Sequence, residues 1–120
     1  MTGIRVSLLI LAGLLVVHLI EEIRTDFRRR LPVGEISRNV FVGTNAIIYT
    51  YVLATIWLAF RESGAALPMI WIFAVGMTLN GVGHISLMII KRGYFPGGVT
   101  GAVIFPVAVY LIYLLAGYGG

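Results

Sequence analysis

Four long apolar stretches follow one another along this 120-residue chain. They predict membrane spans over about residues 6–23, 39–60, 66–90 and 98–118, each near the ~20 residues that cross a bilayer's hydrocarbon layer. Because backbone groups in lipid must be hydrogen-bonded within their own segment, the spans are expected to be helices. Short links make sequential helices antiparallel. We therefore expect an all-α polytopic membrane protein, with residues 1–120 forming a single antiparallel four-transmembrane-helix bundle.

The composition agrees with a membrane location. Hydrophobic residues make up 59% of the chain and charged residues 12%, and a soluble domain of this size is far less apolar. Cysteine is absent, which excludes disulfides and thiolate metal sites. The net charge is +4, but the basic residues lie at span ends, which indicates contact with membrane lipid and no binding of nucleic acid.

Positive charge is distributed unevenly over the three links between the predicted spans. The first link carries five arginines and the third carries Lys91 and Arg92, whereas the second has one arginine beside a glutamate. Lys and Arg concentrate on the cytoplasmic side of membrane proteins, so links one and three are predicted to be cytoplasmic. The protein would then be integral to the cell membrane with both termini outside, an orientation that Arg5 mildly opposes.

The five residues His18-Leu19-Ile20-Glu21-Glu22 combine one of the two histidines with two of the five acidic residues. In a helix, the histidine and the two glutamates span an arc of roughly 100°, so all three can face one cavity. Burial of such groups in lipid is costly, which makes the pentad a candidate functional site. The alternative is a pair of interfacial glutamates held by the arginines that follow, with the histidine bonded to a backbone carbonyl.

Other polar residues fall at the same predicted depth. Span 3 carries Asn80 and His84 at i and i+4, span 2 carries Asn45 and Tyr49, and span 4 opens with Thr100. At ~1.5 Å of helix rise per residue, these groups and the pentad share the cytoplasmic leaflet. This coincidence predicts one polar site between spans 1 and 3, closed by spans 2 and 4. Alternatively, the two asparagines only join helices by hydrogen bonds.

Three motifs in order resemble the HXXEE family of small membrane proteins: His18-Leu-Ile-Glu21-Glu22, Asn80-Gly-Val-Gly-His84, and Tyr94-Phe-Pro96-Gly97-Gly-Val-Thr100 followed by Pro106. The resemblance covers most of the chain, from span 1 to span 4. It implies that the residues of these motifs form the functional core. The family is defined by sequence rather than by an established activity, so the resemblance supplies no reaction.

Two imidazoles and two carboxylates form a nitrogen and oxygen ligand set suited to zinc, iron or manganese. A catalytic zinc needs about three protein ligands and an open position. We predict His18, Glu22 and His84 as ligands of Zn or Fe, with Glu21 and Glu22 as candidate catalytic carboxylates, one of them the general base. The residues expected to line the site are Asn45, Tyr49, Asn80, Tyr94 and Thr100. The predicted activity is hydrolysis of an apolar small molecule, a lipid or isoprenoid-like substrate.

Other functions remain open at this point. Without metal, a buried carboxylate and imidazole form an acid–base pair suited to an isomerase or cyclase. The chain length, the four spans and a glutamate in span 1 resemble the small multidrug resistance transporters, which implies a proton-coupled transporter, although those carry a single mid-span acid. Transport would favour a homodimer, for which Gly97 with Gly101 and Gly76 with Asn80 offer small faces. A structural or partner-binding role is the last alternative.

Overall fold

The computed structural model describes residues 1–32 and 34–118. Four long helices and one 3₁₀ turn account for most of this part of the chain: α1 Thr2–Arg24, the 3₁₀ turn Phe27–Arg29, α2 Arg38–Phe60, α3 Ala66–Lys91 and α4 Gly98–Tyr118. Each helix is long and apolar enough to cross a membrane, and the described ranges contain no strand. The prediction of an all-α membrane bundle of four helices is confirmed.

The helix bounds match the predicted spans closely except at the start of α1. This helix begins at Thr2, four residues before the apolar run, because helical hydrogen bonding continues where the hydropathy falls. Arg5 lies in this added turn, where its Nε donates to the Ala59 carbonyl over 3.1 Å. Its Nη2 also lies 3.4 Å from Glu62 Oε1. The polar residue that weakened the apolar signal thus joins the N-terminal end of α1 to the end of α2.

The helices surround a shared interior in which α4 packs closely along both α3 and α1, and α2 packs less closely against the same two helices. Helices α1 and α3 therefore face each other across the bundle. The fully buried residues recur every three or four positions, as a helix face requires. They include Leu8 and Leu11 of α1, Ile70 and Ala74 of α3, and Ile104, Ala108 and Leu111 of α4.

Helix α2 has the largest lipid-facing share. Among the described residues, its fully buried positions are Val52, Thr55 and Ala59, whereas Ile47, Leu53 and Trp57 are 60–74% exposed. Large exposed apolar side chains are expected on a surface that meets lipid rather than water.

A close approach of α3 and α4 fixes the position of α4 along the bundle axis. A Cβ atom at Gly81 would lie 2.9 Å from both the Gly101 carbonyl oxygen and the Phe105 Cβ. Likewise, a Cβ at Gly101 would lie 2.9 Å from the Cβ of His84. The absent side chains let the first turn of α4 rest directly against the polar part of α3.

Candidate metal centre

Two buried histidines meet at one end of the bundle. His18 of α1 and His84 of α3 are 2% and 5% exposed, and their rings form an edge-to-face pair with centroids 4.6 Å apart. Glu22, one helical turn after His18, places its Oε2 atom 3.6 Å from the Nε2 atom of each ring. One ligand atom from each of these three residues lies within 4.8 Å of the others.

The other ring nitrogen of His84 is held by the segment that precedes α4. His84 Nδ1 lies 3.0 Å from the carbonyl oxygen of Pro96. A carbonyl oxygen only accepts hydrogen bonds, so Nδ1 carries the proton and donates. In the neutral ring, Nε2 of His84 is then the unprotonated nitrogen, and it lies 3.6 Å from Glu22 Oε2.

The Nδ1 atom of His18 is held in the same way by a side chain of α4. It lies 2.6 Å from the hydroxyl oxygen of Thr100, and that hydroxyl donates its single proton to Glu21 Oε1 over 2.6 Å. The Thr100 oxygen therefore accepts from His18, which places the proton on Nδ1 and leaves Nε2 as the free lone pair. Both histidines thus present the same nitrogen to the same carboxylate.

The two neighbouring glutamates of the pentad serve different partners. Glu22 faces the histidines, whereas Glu21 accepts hydrogen bonds from the backbone N–H groups of Thr100, over 3.0 Å, and Val99, over 3.4 Å. The Tyr94 hydroxyl also donates to Glu21. Partial burial and this carboxylate together raise the pKa of Tyr94, so its hydroxyl stays protonated and able to donate. Glu21 therefore satisfies the first free N–H groups of α4.

The Nε2 atom of His18 is enclosed by the protein on all sides. His18 Nε2 is fully buried and unpaired among the described residues, which is costly unless something binds there. Zinc or iron bound at about 2.0–2.2 Å by nitrogen and oxygen ligands holds tetrahedral neighbours roughly 3.3–3.6 Å apart. The two 3.6 Å separations between Glu22 and the ring nitrogens match that spacing. All three ligand atoms lie within 4.8 Å of one another, so this group of residues could hold a metal ion.

Aromatic side chains cover the ring of His84 toward the end of the bundle. The Phe27 ring lies 5.4 Å and the Phe95 ring 6.1 Å from the His84 ring, centroid to centroid, and the two phenyl rings are 5.9 Å apart. Phe95 is 1% exposed. The sequence pattern does not predict Phe27 as a site residue, because its only signal is an isolated aromatic residue within an arginine-rich link.

Gly97 lies against both imidazoles, and no side chain would fit there. A Cβ atom at this position would lie 2.7 Å from His84 Nδ1 and 2.8 Å from His18 Cε1, and its φ is +86°. Since Gly97 and Gly101 both pack on His84 of the same chain, their small face is already covered. Gly76 has no atom within 4 Å of a Cβ position.

The remaining polar residues predicted to line the site have varied contacts. The Asn45 amide donates to the Phe41 carbonyl of its own helix over 2.9 Å, and the Tyr49 hydroxyl donates to the Leu15 carbonyl of α1 over 2.7 Å. Asn80 Oδ1 is buried without a hydrogen-bond partner in the described part of the chain. Their role as site-lining residues stays a prediction.

The comparisons with known proteins identify a family. A family model described as "Protein of unknown function with HXXEE motif" matches residues 9–111. That range contains all three motifs quoted above. Searches of curated proteins and of solved structures gave no match. The chain belongs to the HXXEE family.

Proposed function

We propose that this protein is a metal-dependent membrane enzyme whose zinc or iron ion is bound by His18, Glu22 and His84. One observation carries the proposal: the Nδ1 atoms of both histidines are occupied by separate partners, which leaves both Nε2 atoms facing one carboxylate oxygen. Metal-binding histidines usually donate a hydrogen bond from their second ring nitrogen to such a partner, and this bond fixes the tautomer and the ring orientation.

The ligand set also indicates the kind of centre. Two imidazoles and one carboxylate form the ligand sets of several zinc hydrolases and of many non-haem iron enzymes, and both types leave coordination positions open. A bound ion would polarise a substrate oxygen and lower the pKa of a water molecule toward neutrality. A structural zinc site normally has four protein ligands, so three ligands support a catalytic role.

The two glutamates are assigned different tasks. Glu22 supplies the carboxylate ligand. Glu21 is a positioning residue, since its oxygens accept hydrogen bonds from Thr100, Val99 and Tyr94. Through the Thr100 hydroxyl it orients His18, and through the backbone N–H groups it holds the start of α4. That one of the two glutamates acts as general base stays a prediction.

The location of the site favours an amphiphilic substrate. All four helices are membrane spans by length and hydropathy, and the metal ligands lie near the end that carries the arginine-rich link. By the positive-inside rule this end faces the cytoplasm. The reaction that we propose is hydrolysis of a lipid or isoprenoid-like ester. Its ester bond breaks, the hydroxyl of water joins the acyl or phosphoryl group, and the proton joins the leaving alkoxide.

The direct test is elemental analysis of detergent-purified protein prepared without chelators. We expect about one zinc or iron ion per protomer. Removal of the ion by a chelator should lower the thermal midpoint, because a ligand that binds only the folded state stabilises it, and adding the same ion should restore the midpoint. Protein that purifies without metal and gains no stability from added zinc or iron would contradict the proposal and favour metal-free acid–base chemistry.

Thr100→Val tests the hydrogen-bond chain behind His18. The valine keeps the side-chain shape but removes the hydroxyl that joins His18 to Glu21, so we expect metal affinity to fall roughly 10- to 100-fold. Thr100→Ser keeps the hydroxyl and should retain most of the affinity. Competition with a chromophoric chelator measures the change.

Thr50→Val is the matched control for this experiment. The Thr50 hydroxyl donates to the Ala46 carbonyl of its own helix over 2.8 Å, and its side chain is exposed. Its loss should leave metal affinity unchanged. Equal affinities in Thr100→Val and Thr50→Val would show that the hydroxyl of Thr100 does not support a metal ligand.

A further inference from the structure

A cavity of about 380 Å³ opens beside Glu22, between the end of α1, the arginine-rich link and the start of α2. Glu22, which is nine-tenths buried, forms its inner wall. Arg28 and Arg38 contribute positive charge, and Ile23 and Val42 contribute apolar surface. We propose that this cavity binds the phosphate head group of an anionic lipid from the surrounding leaflet. The inference rests on the proposed function and names the substrate class of that site.

The arginines provide the recognition chemistry. Arg28 is held in place because its Nη1 lies 3.2 Å from Glu35 Oε1 and donates to the Ile36 carbonyl over 3.3 Å. A guanidinium has five N–H groups, so others remain for a ligand. Arg38 has no ion pair within residues 1–32 and 34–118. The planar guanidinium group of arginine can donate two parallel hydrogen bonds to phosphate oxygens, and its positive charge complements theirs.

The balance of charge in the cavity becomes positive when the metal centre is filled. Two arginines face two carboxylates, Asp26 and Glu22, in the cavity wall. A divalent ion at Glu22 adds two positive charges, which leaves a net charge of about +2 for an anion to neutralise. A phosphate bound here would place the adjoining bonds of the lipid next to the metal ligands.

The apolar side of the cavity identifies the source of the phosphate. Ile23 and Val42 are 58% and 56% exposed and lie on spans, so these side chains meet acyl chains. A volume of about 380 Å³ is near the lower end of ligand pockets, which run from about 300 to 1,000 Å³. It holds a head group but not two acyl chains. The hydrocarbon tails would therefore remain in the bilayer along α1 and α2.

The test measures binding of dioleoyl phosphatidic acid, dioleoyl phosphatidylcholine and inorganic phosphate to the purified, metal-loaded protein in a zwitterionic detergent. Thermal shift and native mass spectrometry give the apparent affinities. We expect phosphatidic acid to bind at least about tenfold more tightly than phosphatidylcholine. Arg38→Gln should weaken that binding roughly 10- to 100-fold, because it removes charge-assisted hydrogen bonds. Val42→Trp, which fills the cavity without changing charge, should weaken it similarly.

Arg30→Gln is the matched control, since Arg30 is exposed in the same link but does not line the cavity. It should retain wild-type lipid binding. Equal losses in Arg30→Gln and Arg38→Gln, equal binding of the two lipids, or displacement of phosphatidic acid by millimolar inorganic phosphate would each overturn the proposal. Metal content measured on the same samples separates the two hypotheses: a metal-free wild type contradicts the enzyme proposal, whereas absent lipid selectivity at full metal content contradicts only this inference.

Discussion

His18→Ala and His84→Ala are each expected to lose bound metal almost completely, and the double variant should lose no more than either single variant. With one histidine removed, an ion keeps only two protein ligands, so affinity should fall by more than the roughly 10- to 100-fold seen for residues that merely orient ligands. Groups that act as one unit lose nearly all of their effect on the first removal. Metal per protomer in the wild type and the three variants measures this.

Asn45→Ala is the control for the histidine variants. It removes a polar side chain from the same leaflet, but one that donates only to the Phe41 carbonyl of its own helix. Its metal content should equal that of the wild type. Full metal retention in either histidine variant would remove that histidine from the ligand set. Stability losses that add within about half a kcal/mol would indicate two independent structural residues.

The sequence was sufficient to predict the four-helix fold and the meeting of His18 and His84 in one layer of the bundle. Long apolar runs can satisfy their backbone groups in lipid only as helices, so the number and bounds of the spans follow from hydropathy. Counting residues along antiparallel helices then places His18 and His84 in one layer. The i, i+4 spacing of His18 and Glu22 predicted that both side chains share a face, and Glu22 Oε2 does lie 3.6 Å from His18 Nε2.

The partners of Glu21 could not be predicted from the sequence. A helical arc of about 100° allows the two glutamates to face one cavity, but it equally allows them to face two neighbouring helices. Which case holds depends on where the start of α4 packs, and that is set by the close approach of Gly81 and Gly101. The hydrogen bonds from Thr100 to Glu21 exist only once that packing has formed.

Gly97→Ala is expected to disrupt the metal centre without altering any ligand. At φ +86° an L-residue is strained, by about 1–3 kcal/mol. The added Cβ would also lie within 2.8 Å of atoms in both imidazole rings, a separation that real Cβ contacts do not reach. Either the two rings must move apart, or the turn that contains Gly97 must move away from them. Each change breaks the hydrogen bond from His84 Nδ1 to the Pro96 carbonyl.

Gly93→Ala provides the matched comparison in the same link. No atom lies within 4 Å of a Cβ at Gly93, and its φ is not in the left-handed region, so its effect on the free energy of unfolding should stay within about 0.5 kcal/mol. Thermal midpoints and the visible spectrum of cobalt(II)-loaded protein report stability and ligand geometry separately. A Gly97→Ala variant with the wild-type spectrum and thermal midpoint would show that a side chain at position 97 does not clash with the histidines. Because the substitution does not change the identity of His18, Glu22 or His84, loss of the tetrahedral cobalt spectrum would show that the ligand geometry depends on the backbone of Gly97 beside the two rings.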